Sequence, residues 1–187
     1  EHLGYSNDLL RLFSKILNKD LKYVTKPWNE QLEMLKDGSL DFIPYLAMNE
    51  ERLEYMDFTN FEYFSYLNGL TINQISNIKS AKDLDGKTIA VVNKYWYHDH
   101  LKKNFPNIKL LLTNSTEASV EAVAHNKADA ALDNITSMNY YIKDSWLHNL
   151  KITSIDDLNL PIKSRLYMSV KKGNKLLKSI LEKTYNA

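Results

Sequence analysis

The residues that could carry out catalysis are few, and their spacing matches no common catalytic motif. The chain has no cysteine, which excludes thiol nucleophiles, disulfides and cysteine–zinc sites together. It also has no Gly-x-Ser-x-Gly elbow, no phosphate-binding glycine loop and no His-Glu-x-x-His pair. His98 and His100 flank Asp99, but residues i and i+2 of a helix point to different sides. The sequence therefore predicts no catalytic residue, no metal site and no cofactor.

Aromatic side chains point instead to a binding function. They make up 11% of the chain, and several stand where loops are expected. Aromatic residues at the ends of strands in α/β proteins often line clefts for small ligands, although they also pack beneath loops. For Tyr63–Tyr66 we expect packing. For Trp96, in the run Lys94-Tyr95-Trp96-Tyr97, both interpretations stay open.

Length and composition exclude several classes of protein. The 187 residues suffice for one large domain or two small ones, and the 44% hydrophobic content suffices to build a core. The 24 basic and 23 acidic side chains nearly cancel, so nucleic-acid binding has no electrostatic support. No apolar run approaches the roughly 20 residues that span a bilayer. We therefore expect a folded protein that does not bind nucleic acid.

The elements that must position these side chains alternate between helix and strand. In the first part of the chain, apolar periodicity and capping residues predict helices over Ser6–Leu17 and from Trp28 to just before Gly38, and strands at Leu21–Thr25 and Leu40–Pro44. From Thr88 to Lys143, strands and helices then alternate regularly. That alternation predicts an α/β architecture with parallel strands.

Two segments share one design, which suggests two α/β lobes. Each runs through a helix, a tight turn and a short strand to an aspartate. The first ends Leu32–Leu35–Gly38–Leu40–Asp41, and the second ends Val120–Val123–Asn126–Ala128–Asp129.

A longer series of motifs resembles a known family. The first part of the series is Trp28-x3-Leu32-x2-Leu35-x2-Gly38-x2-Asp41, then Asn49-Glu50-Glu51-Arg52, then Asp57-Phe58-Thr59. The second part is Asp83-Leu84-x-Gly86-Lys87-x-Ile89-Ala90-Val91, then Asn126-Lys127-Ala128-Asp129-Ala130, then Val170-x-Lys172-Gly173-Asn174. In this order and spacing the motifs resemble the periplasmic solute-binding proteins of family 3, the polar amino-acid type, also called type 2 Venus-flytrap domains. The resemblance covers nearly the whole chain.

The resemblance extends to a subtype. Phe105-Pro106-Asn107-Ile108, Asn134 and Tyr140-Tyr141-Ile142 are similar to the extracytoplasmic sensor domains of bacterial histidine kinases and diguanylate cyclases. Free transport proteins of the family more often carry aspartate where this chain has Asn134.

The family implies a two-lobed, type 2 periplasmic-binding-protein-like fold with two crossing hinge strands. The first lobe would comprise residues 1–69 plus 165–187, and the second residues 70–164. The crossings would fall near Gly69–Thr71 and Arg165–Met168, and the lobes would close by a hinge motion. The family pattern also has a strand before Gly4 and a helix after Ala187.

The family also implies which residues bind the ligand. Arg52 matches the arginine that binds a ligand carboxylate, and Trp28 matches the aromatic residue that stacks on the ligand. The other expected ligand-binding positions are Tyr45, Ala47, Asn49, Lys94, Tyr95, Trp96 and Asn134. Two simpler interpretations remain, namely a surface ion pair of Arg52 with Glu51 or Glu54 and core packing of Trp28.

Several of these positions depart from the family pattern. Ala47 replaces a threonine that assists the carboxylate, Tyr45 replaces a glycine, and Lys94 stands where a glycine is common. Asn134 replaces the aspartate that binds the ligand ammonium, so the charge-assisted part of that hydrogen bond is lost. Asp133 is adjacent, but in a strand its side chain points to the opposite face. The departures argue against an ordinary α-amino acid as the ligand.

We therefore expect a non-enzymatic sensor domain of a transmembrane receptor that binds an amino acid or a small carboxylate. Its partner would be a downstream membrane-anchored signalling domain, with a receptor dimer left open. Its location would be the periplasmic or extracellular side of the inner membrane. The alternatives are a free periplasmic solute-binding protein of an ABC amino-acid transporter and a cyclohexadienyl-dehydratase-like enzyme on the same scaffold.

Overall fold

The computed structural model describes residues 5–154, 158, 160 and 163–187, which form an α/β fold. The helices and strands, in chain order, are α1 (Tyr5–Leu17), α2 (Trp28–Asp37), β1 (Phe42–Leu46), α3 (Glu50–Leu53), β2 (Met56–Phe58), β3 (Phe64–Asn73), β4 (Thr88–Val92), α4 (Trp96–Asn104), β5 (Lys109–Thr113), α5 (Thr116–Ala124), β6 (Ala130–Asn134), α6 (Ile135–Asp144), β7 (Leu150–Thr153), β8 (Lys163–Lys171) and α7 (Lys175–Tyr185). In the described part of the chain, no helix is both long and apolar enough to cross a membrane.

The chain divides into two compact units. Unit 1 comprises Glu1–Ser65 and Arg165–Ala187, and unit 2 comprises Tyr66–Ser164. The chain therefore passes from unit 1 to unit 2 once and returns once. The lobe boundaries drawn from the sequence, at 69/70 and 164/165, stay a prediction about where a hinge would lie.

The sheet of unit 1 is centred on β8. This strand pairs antiparallel with β1, where Val170 faces Phe42, and with β2, where Lys171 faces Met56. Helix α2 ends as predicted at Gly38, whose φ of 93° lies in the left-handed region that favours glycine. Two apolar clusters pack on this framework, one around Leu35, Ile43, Leu46 and Met56, the other around Phe13, Tyr63, Met168, Val170 and Leu181.

The strand predicted over Leu21–Thr25 is wrong. The segment lies in neither a helix nor a strand, and no sheet pairing of the described residues includes it. Residue alternation alone does not make a strand, because a strand also needs a neighbouring strand to bond to. The strand predicted at Leu40–Pro44 is present, displaced to Phe42–Leu46.

Unit 2 is built on a mixed sheet in the order β7-β3-β6-β4-β5. Strand β4 runs parallel to β5 and β6, which confirms the parallel strands predicted from the regular alternation. Strand β3 runs antiparallel to β6 and β7. The carboxyl ends of β4 and β6 therefore lie at the same edge of the sheet.

Helices cover both faces of this sheet. In β4, Ile89 and Val91 belong to one apolar cluster and Ala90 to another, as expected when successive side chains alternate between faces. Tyr97 and Leu101 of α4 pack in the first cluster, whereas Val120 and Val123 of α5 and Met138 of α6 pack in the second. The loops that leave β4 and β6 are thus fixed by helices with well-packed faces.

Candidate functional site

Arg52 is buried in unit 1 and held by a short turn of the chain. It lies in α3, whose N-cap is Asn49, and Asn49 Oδ1 accepts the Arg52 backbone N–H at 2.9 Å. The Arg52 guanidinium Nη1 donates to the carbonyl oxygen of Ala47 at 2.6 Å, and only 3% of the residue is exposed. The simpler interpretation of Arg52, a solvent-exposed ion pair with Glu51 or Glu54, is therefore wrong.

Two aromatic side chains lie together in the same unit. Trp28 opens α2, and its ring stacks on Tyr45 near the end of β1, with 6.0 Å between centroids and 23° between planes. Trp28 also packs against the cluster around Leu35 and Ile43. Tyr45 is 38% exposed, and desolvation raises the pKa of its hydroxyl despite a hydrogen bond with Gln31. Trp28 therefore packs on the core and on a partly exposed tyrosine, and its stacking on a ligand stays a prediction.

The loop after β4 holds three of the predicted residues of unit 2. Lys94 has a φ of 64°, a left-handed conformation that few residues other than glycine adopt easily. This explains why glycine suits the position in the family pattern. Tyr95 follows as the N-cap of α4, and its backbone N–H donates to the Val92 carbonyl oxygen at 3.1 Å.

Trp96 opens α4 and packs against the core of unit 2. Its ring lies 4.4 Å from that of Tyr97, centroid to centroid. Its indole Nε1 is buried and makes no hydrogen bond of normal geometry within the described residues, although the Tyr66 hydroxyl is close enough for the indole to influence its pKa. Most of the Trp96 side chain therefore packs beneath the loop, against the core of unit 2.

Asn134 ends β6 and caps the following helix. Its side-chain Oδ1 accepts the backbone N–H groups of Thr136 at 2.7 Å and Ser137 at 3.4 Å. The residue is half-buried. A side-chain oxygen at an N-cap satisfies N–H groups that have no partner within the helix.

Asp133, the preceding residue, lies on the buried face of the same strand. It is 3% exposed, and its Oδ2 accepts the Thr116 hydroxyl at 2.6 Å while its Oδ1 accepts the Asn134 backbone N–H at 2.7 Å. Desolvation raises the pKa of this carboxyl to about 6, against the opposing effect of the two hydrogen bonds. The Asp133 side chain therefore points into the interior of unit 2, as the alternation of side chains along a strand predicts.

Asn68 connects several of these elements, and no sequence motif singled it out. It lies in β3 directly opposite Asn134 in the strand register. Its Oδ1 accepts the Tyr97 hydroxyl at 2.7 Å and the Ser164 hydroxyl at 2.9 Å. Tyr97 is fully buried, and Ser164 is the last residue of unit 2 before the chain returns to unit 1. A buried tyrosine hydroxyl must find a partner, but the burial of Tyr97 is known only from the structure.

Two cavities among the described residues each lie within one unit. One of about 470 Å³ in unit 1 lies between residues 20–25 and 40–45 and includes Tyr45 and Gln31. One of about 580 Å³ in unit 2 is lined by Lys87 and Asp129, and by none of the nine predicted ligand-binding residues. Lys87 Nζ lies 3.4 Å from Asp129 Oδ1, so these two opposite charges form an ion pair with each other. Within the described ranges, no group of three or more histidine or acidic side chains is placed to bind a metal ion.

The chain is similar to proteins of one family over its full length. A family model described as bacterial extracellular solute-binding proteins, family 3, matches residues 1–187. The chain is also 26% identical over 185 residues to the virulence sensor protein BvgS of Bordetella pertussis, a match that covers 96% of this chain. It spans 14% of the length of BvgS.

Solved structures share the fold. The substrate binding protein of an amino acid ABC transporter superposes with a TM-score of 0.88 at 24% identity, covering 98% of this chain and 80% of the other. A histidine kinase sensor domain with similarity to periplasmic binding proteins superposes with a TM-score of 0.88 at 20% identity, covering 97% and 78%. These similarities show the type 2 periplasmic-binding-protein fold.

Proposed function

Because the chain belongs to the bacterial extracellular solute-binding proteins of family 3, we propose that it is the small-ligand-binding sensor domain of a transmembrane receptor. The receptor is of the histidine kinase or diguanylate cyclase type, and its sensor domain faces the periplasm or the cell exterior. Its two lobes close on a small, carboxylate-bearing ligand. The partner is a downstream membrane-anchored signalling domain.

The observation that carries the receptor role is the match to BvgS. The match covers 96% of this chain but 14% of the sensor protein. A family 3 domain that corresponds to one segment of a much longer sensor supports a receptor role. The histidine kinase sensor domain among the solved structures supports the same fold in such a setting.

Arg52 is the residue to which we assign the ligand carboxylate. A guanidinium stays charged at every physiological pH, and its planar fork of donors matches the two oxygens of a carboxylate. Burial strengthens such a pairing because less water screens it. The Ala47 carbonyl oxygen accepts a guanidinium N–H of Arg52, and Asn49 Oδ1 accepts the Arg52 backbone N–H. Trp28 and Tyr45 supply apolar surface for the rest of the ligand.

A free solute-binding protein of an amino-acid transporter is the second candidate. The resemblance in fold to an ABC transporter binding protein supports it. Against it stands Asn134, where transport proteins of the family more often carry aspartate. For a dehydratase-like enzyme we find no support in the nine candidate residues, which include no carboxylate and no imidazole for proton transfer.

Ligand binding is tested by thermal unfolding of the chain with amino acids, small carboxylates and polyamines. A ligand that binds only the folded protein raises the unfolding midpoint, and the rise grows with ligand concentration. The control is Arg52→Lys, which keeps the charge but loses the planar fork. Failure of all three compound classes to raise the midpoint would argue against a small-molecule sensor.

The receptor role is tested on the full-length gene product. A membrane-spanning helix after residue 187, followed by a kinase or cyclase module, is the expected result. A lipid-attachment signal ahead of residue 1, with no signalling module after residue 187, would favour the transporter role instead.

A further inference from the structure

We propose that helix α1 is a docking surface for a second copy of this chain, and that the two α1 helices pack antiparallel about a twofold axis. The inference goes beyond the proposed function, because none of the nine candidate ligand-binding residues lies in α1. It depends on a second apolar stripe along α1, on the exposure of that stripe, and on the order of the charges beside it.

Helix α1 carries apolar side chains on two faces. One face packs into unit 1 through Leu10 and Phe13, which are 6% and 1% exposed. A helix at the surface of a globular unit needs one such face, and the opposite side is usually polar. The core of unit 1 therefore does not account for the other apolar side chains of α1.

The second apolar face is a stripe of Tyr5, Leu9, Leu12 and Ile16. Successive members are four, three and four residues apart in the sequence, which is the spacing of the contact positions in paired helices. Leu9 is half-buried, whereas Tyr5, Leu12 and Ile16 are 55%, 51% and 44% exposed. Single exposed apolar residues are common, but an ordered stripe of them indicates an interaction surface.

The charges beside this stripe make the surface complementary to itself. Asp8 lies in the first turn of α1 and Lys15 in the last turn, two helical turns apart and so on the same flank of the stripe. A twofold axis between antiparallel helices places each flank against the same flank of the other copy in reverse order. Asp8 of each copy then faces Lys15 of the other. Parallel packing would instead place like charges together, so the charge order favours a second copy in the antiparallel orientation.

Asp8 also forms an ion pair within its own helix. Arg11 Nη1 lies 2.9 Å from Asp8 Oδ1, and both side chains are largely exposed. An exposed pair of this kind contributes little free energy, and a carboxylate accepts hydrogen bonds from more than one donor. The contact with Arg11 is therefore compatible with Lys15 of a second copy approaching the same carboxylate.

The area of the stripe implies a weak association in dilute solution. Stable interfaces bury about 800 Å² on each partner, whereas this stripe consists of four side chains of one helix. Weak contacts become populated when two copies are held close together, because the effective concentration rises. We therefore expect pairing to be detected by chemical trapping, and to be strongest where receptor chains share a membrane.

Disulfide trapping tests the pairing, since the chain has no cysteine of its own. Tyr5→Cys and Ile16→Cys are prepared separately, one of them with a size tag, and mixed in a glutathione redox buffer. Antiparallel packing places position 5 of one copy beside position 16 of the other. We expect the mixed disulfide dimer to exceed the homodimer of either variant about tenfold or more. Ile75→Cys is the control for random collision, because Ile75 lies in unit 2 and is 87% exposed.

Charge reversal in the same trapping pair tests the twofold arrangement. Asp8→Lys places two cations opposite each other and should lower the trapped fraction about threefold or more. Adding Lys15→Asp should restore trapping, because the two charges have then exchanged places. Both positions are exposed, so circular dichroism should show the same folded structure in every variant.

Four results would overturn the inference. They are trapping no greater than that of Ile75→Cys, an Ile16→Cys homodimer that exceeds the mixed dimer, absence of rescue by Lys15→Asp, and trapping of the 187-residue chain that is lost in the full-length gene product. The last result would show that another segment covers α1. Each of these results leaves the proposed function standing, because the thermal screen for ligands is a separate measurement.

Discussion

At the scale of single residues, Asp133 is a buried acid whose surroundings oppose its ionisation. Burial raises its pKa to about 6, while an aspartate in an unfolded chain titrates near 3.9. The folded protein therefore binds this proton more tightly than the unfolded chain does. Protonated Asp133 therefore contributes its full share to the free energy of unfolding below about pH 4. That contribution is lost as the pH rises through about 6.

The first prediction is that Asp133→Asn removes this decline. Asparagine is never ionised. Its amide oxygen can still accept the Asn134 N–H, and its amide nitrogen can donate to the Thr116 hydroxyl. The free energy of unfolding of the variant, minus that of the wild type, should grow by about 2 kcal/mol between pH 4 and 7. Urea denaturation at fixed temperature across this range measures the difference.

Asp83 provides a control of opposite sign. Its carboxylate accepts the backbone N–H groups of Lys79 and Ser80, and these hydrogen bonds lower its pKa. Its contribution to stability is present at neutral pH and lost as the pH falls through the lowered pKa. Asp83→Asn should therefore be less stable than the wild type at neutral pH and should approach it in acid. A difference for Asp133→Asn that stays constant with pH would contradict the prediction.

The second prediction concerns Arg52, which is buried in unit 1 and to which we assign the ligand carboxylate. Arg52→Ala should lower the free energy of unfolding by about 1–3 kcal/mol, because the Ala47 carbonyl loses a buried donor. Arg52→Lys should lose less stability, since it keeps a cation of similar reach. Both variants should bind a small carboxylate identified by the thermal screen about tenfold or more weakly than the wild type, because neither offers the planar fork. Chemical denaturation and calorimetry separate the two effects, and normal binding of that carboxylate by Arg52→Ala would contradict the carboxylate assignment.

At the scale of the elements, Asn68 ties helix α4 and strands β3 and β8 together in unit 2. One carbonyl oxygen accepts hydroxyl groups from both Tyr97 and Ser164. Removing either hydroxyl deletes one hydrogen bond and leaves the other. Removing the acceptor leaves two buried hydroxyls without it, and that is the more costly change.

The third prediction follows from this asymmetry. Tyr97→Phe and Ser164→Ala should each lower the free energy of unfolding by about 1 kcal/mol, and Asn68→Ala should lower it by more than either. In the Asn68→Ala background, adding Tyr97→Phe and Ser164→Ala should cost little further stability or restore some. Denaturant unfolding of six proteins, namely the wild type, the three single variants, the double variant Tyr97→Phe/Ser164→Ala and the triple variant, completes the thermodynamic cycle. Purely additive losses would show that Asn68 does not act as the shared acceptor.

At the scale of the whole molecule, the two units differ in how the chain builds them. Unit 2 is a continuous segment, whereas unit 1 takes its residues from both ends of the chain. The strand that pairs with both β1 and β2 is β8, which lies more than 100 residues downstream of them in the sequence. The sheet of unit 1 therefore cannot form without β8.

The fourth prediction is that residues 66–164 fold when expressed alone and that residues 1–65 do not. Circular dichroism and denaturant titration should show a cooperative transition for the first fragment and none for the second. Adding residues 163–187 as a separate chain should restore structure to the fragment 1–65, because it supplies β8 and α7. A cooperative transition of residues 1–65 on their own would contradict this account of the fold.

The sequence by itself determined the parts that local patterns control. Periodicity gave α1, α2 and the regular strand–helix alternation from β4 to α6, and Gly38 marked a helix end through its left-handed conformation. The order of short motifs indicated the family and thus the fold. These features depend on neighbours within a few residues, so one sequence is enough to predict them.

Only the tertiary structure decided the features that depend on distant partners. Leu21–Thr25 alternates like a strand but has no neighbouring strand, and Arg52 resembles a surface residue in sequence but is buried against Ala47. The chain positions of Asn68, Tyr97 and Ser164 give no sign that the three meet, because their side chains converge only once the sheet has formed. The sequence likewise does not show that Asn134 Oδ1 accepts the N–H groups at the start of α6, because helix capping depends on folded geometry. Burial, strand pairing and the direction of a polar atom depend on the whole chain, so a local sequence pattern does not reveal them.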